Sequence, residues 1–186
     1  MVARATRLAG SARGADGLDA AFAAIRAEHE VPAGFPAEVL EAAERAAKYP
    51  RLPEQDARHL DLVTIDPPGA MDLDQAMHLE RTEDGYRVHY AIADPAAFIS
   101  PGDPVDLEAH RRGQTIYCPD ARVPLHPAAL SEGAASLLPG EDRPASVWEI
   151  DLDAEGARRE ARVYRAMVRS RARFTYEEAQ AGIDSG

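Results

Sequence analysis

The segment Thr64-Ile65-Asp66-Pro67-Pro68-Gly69-Ala70-Met71-Asp72-Leu73-Asp74-Gln75 gathers three aspartates in a short stretch. Asp72 and Asp74 stand two positions apart, so in an extended chain both carboxylates project to one side. The Pro-Pro-Gly turn lets the chain double back and carries Asp66 toward that pair. Converging carboxylates repel one another and call for a compensating cation. Hard oxygen donors select Mg²⁺, with Mn²⁺ as the alternative. A divalent ion held in this way lowers the pKa of an attacking water. It also neutralises charge on a phosphate and its leaving oxygen, which is the chemistry of phosphodiester hydrolysis.

The same spacing also suits an acidic surface loop, because aspartate favours turns. An EF-hand is excluded: Ala76 and Met77 break the ligand and glycine pattern that follows the first two acids of such a loop. A nucleotide-sugar DxD site needs no more than Asp72 and Asp74 and stays open. Among the other reactive groups, the six histidines show no metal-ligand spacing. Cys118 precedes Pro119 with no base nearby in sequence, which argues against a nucleophilic thiol.

The elements that must hold these aspartates can be read around them. LVTI (62–65) reads as a short strand ending at Asp66. Residues 76–80 and 86–93 flank Glu83-Asp84-Gly85 as a hairpin. Asp103-Pro104-Val105-Asp106 starts a helix that Arg111-Arg112-Gly113 ends. Residues 114–146 are proline-rich and irregular, a texture that often carries function. Trp148, Ile150 and Leu152 alternate with acids and are expected to form the buried side of a strand. In the return strand, Tyr164, Ala166, Val168, Ala172 and Phe174 point one way and Arg165, Arg169, Arg171 and Arg173 the other. Thr175 and Glu178 make a capping box that opens a last helix. Before all this lie an arm (1–17), a helix over 19–30 and a second over 36–48.

Composition narrows the class. The chain has 186 residues, enough for one domain with a real core. With 21 basic and 32 acidic residues its net charge is −11, which argues against a globally basic nucleic-acid coat but leaves room for a local basic groove. A single cysteine excludes an intrachain disulfide framework and fits a reducing cytoplasm. No apolar run is long enough to span a bilayer, and nothing points to a membrane or an obligate protein partner. All but one of the basic side chains are arginine, Lys48 being the exception.

Four blocks in order resemble the RNB catalytic domain of the ribonuclease II and ribonuclease R family. They are TIDPPGAMDLDQA, HYAIADPAAFISPGDPVDLEAHRRGQTIYCPD, VPLHPAALSEGAASLLPGEDRPA and VYRAMVRSRARFTYEEAQ. The resemblance implies an α+β fold: a mixed sheet with helices, the first half of such a catalytic domain, over 61–186, after a short helical segment at 18–60. It implies a bacterial-type 3′–5′ exoribonuclease that hydrolyses single-stranded RNA to nucleoside 5′-monophosphates with Mg²⁺. By motif position Asp66, Asp72 and Asp74 are the metal-binding catalytic acids. The fourth acidic position holds Gln75, whose amide oxygen can ligate a hard cation but brings no charge. That departure leaves an alternative: a catalytically degenerate RNA-binding or regulatory relative.

Tyr117 matches a tyrosine that stacks on a base near the RNA 3′ end, and Tyr176 a tyrosine near bound RNA. A tyrosine in an irregular polar loop suits stacking, since every base has a π-face; a half-buried, hydrogen-bonded Tyr117 is the competing reading. Arg169, Arg171 and Arg173 suit phosphate contacts or, equally, a solvated strand face. Family members carry a further half-domain with a catalytic arginine, so the chain is expected to be an incomplete catalytic unit.

Overall fold

The structure is a computed structural model that describes residues 15–185. The expected arm lies outside the described residues up to residue 14, and residues 15–17 already belong to the first helix. Helix α1 spans Ala15–Glu28, so it starts and stops earlier than the pattern predicts. Its Ile25 stays half exposed, and Arg26 ties it to Asp120 at 2.7 Å. Helix α2 (Ala37–Lys48) follows Pro36. Strand β1 (Leu62–Ile65) leads to β2 (Gln75–Thr82) and β3 (Gly85–Ala93). The two-residue turn Glu83-Asp84 joins the last two, with Thr82 opposite Gly85. Glycine is required there: a Cβ on residue 85 would lie 2.2 Å from the Leu152 carbonyl oxygen.

Helix α3 (Pro104–Arg112) begins as predicted. The Asp103 side chain accepts the Asp106 amide at 2.9 Å, and the helix closes on Gly113 at φ 76°. The irregular stretch holds a small ladder, β4 (Ile116–Tyr117) with β5 (Arg122–Val123), and a π-helical turn at Ala129–Ala134. Strands β6 (Asp142–Asp153) and β7 (Arg158–Phe174) follow, then α4 (Tyr176–Ser185).

The predicted mixed sheet is a closed barrel in the order β1-β2-β3-β6-β7. Neighbours are antiparallel except β1 and β7, which pair in parallel and shut the ring, Leu62 opposite Ser170 and Ile65 opposite Phe174. Five strands leave a narrow interior, and small side chains fill it: Ala76, Ala91, Ala145 and Ala166 with Leu62, Leu73, Val147 and Val168. A second core joins Val39, Ala42 and Ala43 of α2 to Phe98, Val105 and Leu130. The helical segment before residue 60 thus shares a core with later parts of the chain. Arg112 pins this subcore. Its side chain is 1% exposed, stacks 3.7 Å over the Phe35 ring and bonds Glu108, the Pro124 carbonyl and the Gly34 carbonyl.

One strand face differs from the reading of the sequence. Ala145 and Val147 face the barrel interior, while Trp148 is 40% exposed on the outside. One acid expected outside goes in: Glu149 is nearly covered and meets Arg87 and Arg162, which satisfy its charge. In β7 the predicted phase holds at Ala166 and Val168, which are buried, while Phe174, expected on the same side, is 37% exposed. Among the described residues no helix is long and apolar enough to cross a membrane.

Candidate functional site

The acidic loop starts where β1 is closed by β7. The Asp66 amide donates to the Phe174 carbonyl at 2.9 Å, which fixes the loop's entry. The Ala70 amide reaches the Pro67 carbonyl at 3.1 Å, and Gly69 takes φ 82°. Proline at the second position and a left-handed glycine at the third define a type II turn. Arg173 donates to the Ala70 carbonyl at 2.6 Å from outside this turn.

The exit of the loop is clamped by a segment far away in sequence. Ser136, buried, donates its hydroxyl to the Met71 carbonyl at 2.6 Å and accepts the Leu73 amide at 3.0 Å. The Leu137 amide donates to the Leu73 carbonyl at 2.7 Å, and the Ala93 amide to the Asp74 carbonyl at 2.9 Å. Leu73 is fully buried in the barrel core. In an extended run that turns its neighbours, Asp72 and Asp74, to the opposite side. Both line a cleft of about 350 Å³ shared with Thr115, Tyr117, Arg122 and His126.

Asp74 feels the other two aspartates. Burial, reinforced by the charges of Asp66 and Asp72, lifts the Asp74 carboxyl above the ordinary aspartate range against an opposing backbone hydrogen bond. Asp72 finds its countercharge within the protein: Arg122 Nη1 lies 2.5 Å from Asp72 Oδ2, and its other terminal nitrogen bonds Glu132. Gln75 opens β2, and its Oε1 accepts the hydroxyl of Tyr90. Three carboxylates and an amide oxygen are hard donors, and the unfavourable charge on Asp74 is what a divalent cation relieves, so the donor chemistry fits the ion. Two of the four donors are nevertheless held by Arg122 and Tyr90. Among the described residues no group of three or more His, Cys, Asp or Glu side chains is arranged to hold a metal.

Tyr117 is 75% exposed and sits opposite Arg122 in the β4–β5 ladder, its ring free to meet a planar ligand at the cleft. The half-buried alternative for this residue is thereby ruled out. Tyr176, also exposed, begins α4 behind the Thr175–Glu178 capping box, which forms in both directions at 2.7 and 3.2 Å. Arg169 and Arg171 project from the outer face of β7, paired with Asp142 at 2.7 Å and Asp61 at 3.1 Å. Arg169, with Arg58, holds the Asp142 carboxyl below the usual range. The structure therefore joins Asp72, Asp74 and Tyr117 in one cleft, with Asp66 on the same loop but outside the lining. Gln75, Tyr176, Arg169, Arg171 and Arg173 are not part of that cleft's lining either.

Three further residues of the site escape a reading of the sequence. Arg122 looks like one arginine among many in an irregular stretch. Ser136 looks like an ordinary loop serine, although the segment ASLLP that contains it belongs to a block that resembles the family. His126, which shows no ligand spacing, lines the cleft, and burial pulls its pKa below the ordinary histidine value.

Comparison with known proteins bears on this arrangement. The sequence pattern of the RNB domain matches residues 54–186. Ribonuclease R of Acidithiobacillus ferrooxidans is 37% identical over 153 residues, covering 82% of this chain and 35% of that protein. Among solved structures, Mycoplasma genitalium RNase R in complex with ribose-methylated single-stranded RNA superposes with a TM-score of 0.79 and 28% identity, over 89% of this chain and 26% of that one. Yeast Ssd1, described as a pseudonuclease, shares the fold with a TM-score of 0.61 at 20% identity, over 83% of this chain and 18% of that one. The chain thus spans about a third of the length of the bacterial ribonuclease R it matches.

Proposed function

The chain belongs to the RNB domain family, and from that premise we propose that it carries the acidic half of a 3′–5′ exoribonuclease site. Residues 61–186 form the first part of the catalytic domain. Single-stranded RNA is the substrate, nucleoside 5′-monophosphates are the products, and the cytoplasm is the site of action. One observation carries this reading. Asp72 and Asp74 line the same cleft as the exposed ring of Tyr117, and Asp66 stands on the same loop behind the Pro-Pro-Gly turn.

Asp66, Asp72 and Asp74 would hold a divalent metal, Mg²⁺ or Mn²⁺, with the Gln75 amide oxygen as an uncharged fourth donor. Bound there, such an ion would make water nucleophilic and offset charge on the phosphate. Tyr117 stacks on the terminal base and so fixes the last nucleotide against the wall of the cleft, which converts loose binding into alignment. Arg173, bonded to the Ala70 carbonyl, keeps the turn that aims Asp66. Arg169, Arg171 and Tyr176 offer secondary contacts along the strand that leads away from the loop.

The test is release of nucleoside 5′-monophosphates from a labelled single-stranded oligoribonucleotide in Mg²⁺ by the full-length protein. Asp74→Asn is expected to lower release on the order of 10³-fold, the scale of losing several kcal/mol of transition-state stabilisation. Undiminished release removes the site assignment. A second reading, an RNA-binding relative without catalysis, is favoured by Gln75 at the fourth acidic position. Full-length wild-type protein that binds the oligonucleotide but releases nothing supports it.

A further inference from the structure

We propose that Arg122 is a built-in counter-ion of the acidic loop, holding Asp72 until a divalent cation displaces it. The inference rests on the reading of Asp66, Asp72 and Asp74 as the cation site. It concerns what that site does before the cation arrives.

Three carboxylates brought onto one loop repel one another, and a fold that presents them must supply positive charge from somewhere. Among the described residues, Arg122 is the one cation within ion-pairing distance of any of the three. It sits 2.5 Å from Asp72 Oδ2, and its place is set by the backbone: Arg122 lies opposite Tyr117 in the two-residue ladder of β4 and β5. Asp72 is thereby bound to the strand pair that also presents the exposed tyrosine.

The second partner makes the contact exchangeable. Arg122 also bonds Glu132 on the π-helical turn. When Asp72 is taken by a cation, the guanidinium keeps a carboxylate and is not left bare. Both Asp72 and Arg122 are about one-third exposed, so water screens the pair and releasing it costs little. A deeply buried partner would have been a permanent lock. The cation therefore competes with a weak internal ligand, and its apparent affinity is lowered by the share of time Arg122 occupies Asp72.

The experiment is a Mn²⁺ titration followed by electron paramagnetic resonance, on the chain and on Arg122→Met, Arg122→Lys and Asp74→Asn. Each variant is first checked for the wild-type melting profile. Arg122→Met is expected to tighten Mn²⁺ about two- to fivefold, the factor a screened ion pair is worth. Arg122→Lys, which keeps charge but loses the fork, should fall between. In wild-type protein, guanidinium NMR signals of Arg122 should move with Mg²⁺ at the midpoint of cation binding. If Arg122→Met binds Mn²⁺ no more tightly than wild type while Asp74→Asn weakens it, the cation site stands and the counter-ion role falls. If Asp74→Asn leaves Mn²⁺ binding unchanged, or no variant binds Mn²⁺, the site reading falls and takes this inference with it.

Discussion

The Ser136 hydroxyl and the Leu73 amide meet at 3.0 Å beneath the acidic loop, with the same hydroxyl donating to the Met71 carbonyl. Two backbone groups of the loop are thus satisfied by one buried side chain. Ser136→Ala should leave the buried Leu73 amide without a partner and cost about 1–3 kcal/mol. Urea unfolding measures the loss. Amide hydrogen exchange at Leu73 should quicken, and an unchanged rate would mean that the clamp does not hold the loop.

Arg112 combines nearly complete burial, a stack on Phe35 and bonds to Glu108 and two carbonyls. Arg112→Ala strips these partners at once, so a loss of about 3–5 kcal/mol is expected. Arg112→Lys should recover only part of it, because an ammonium cannot reproduce the planar fork. Comparison of the two unfolding curves decides whether geometry or charge matters at this position.

Acid should act through Glu108. Hydrogen bonds from Arg111, helped by Arg112 and opposed by burial, depress its pKa from the ordinary 4.5 to about 2. The folded state therefore binds its proton less readily than the unfolded state. Stability from this group is complete above about 4.5 and is lost as pH falls toward about 2. With Arg111 open to solvent, the contribution is on the order of 1–2 kcal/mol. Glu108→Gln should flatten that part of the pH–stability curve, and an unchanged slope would contradict the assignment.

Gln75 sits beside Asp74, and its oxygen is taken by the Tyr90 hydroxyl. Gln75→Asp adds a fourth negative charge to the loop. In metal-free buffer the melting temperature should fall, because repulsion grows. With Mg²⁺ the order should reverse, since ligand charge sets affinity for hard cations, with a gain of about tenfold in apparent Mg²⁺ affinity. Parallel melts with and without Mg²⁺ read both signs.

What the sequence made legible was local. The Asp103 cap and the Thr175–Glu178 box each lie within one helical turn, and both form with the predicted partners. The Asp66–Asp74 cluster was legible for the same reason, a short span with a proline-glycine turn. Closure of the barrel was not, because pairing Leu62 with Ser170 leaves no mark in either strand alone. The face of β6 was misread because alternation reports two faces without saying which is inside. Trp148 and Ile150 advertise the wrong one, and the covered acid Glu149 is explained only by arginines from β3 and β7. Arg122 and Ser136 went unseen since their meaning lies in partners fifty or more positions away.

The parallel seam between β1 and β7 also sets an order of events. During synthesis the strand that precedes Asp66 is made early, yet its partner around Phe174 emerges near the end of the stretch described here. Such a distant pairing is slow to form and is completed late. The aspartates are translated long before the seam that steadies them, so a half-made chain carries the acids without the scaffold that turns them toward one cleft.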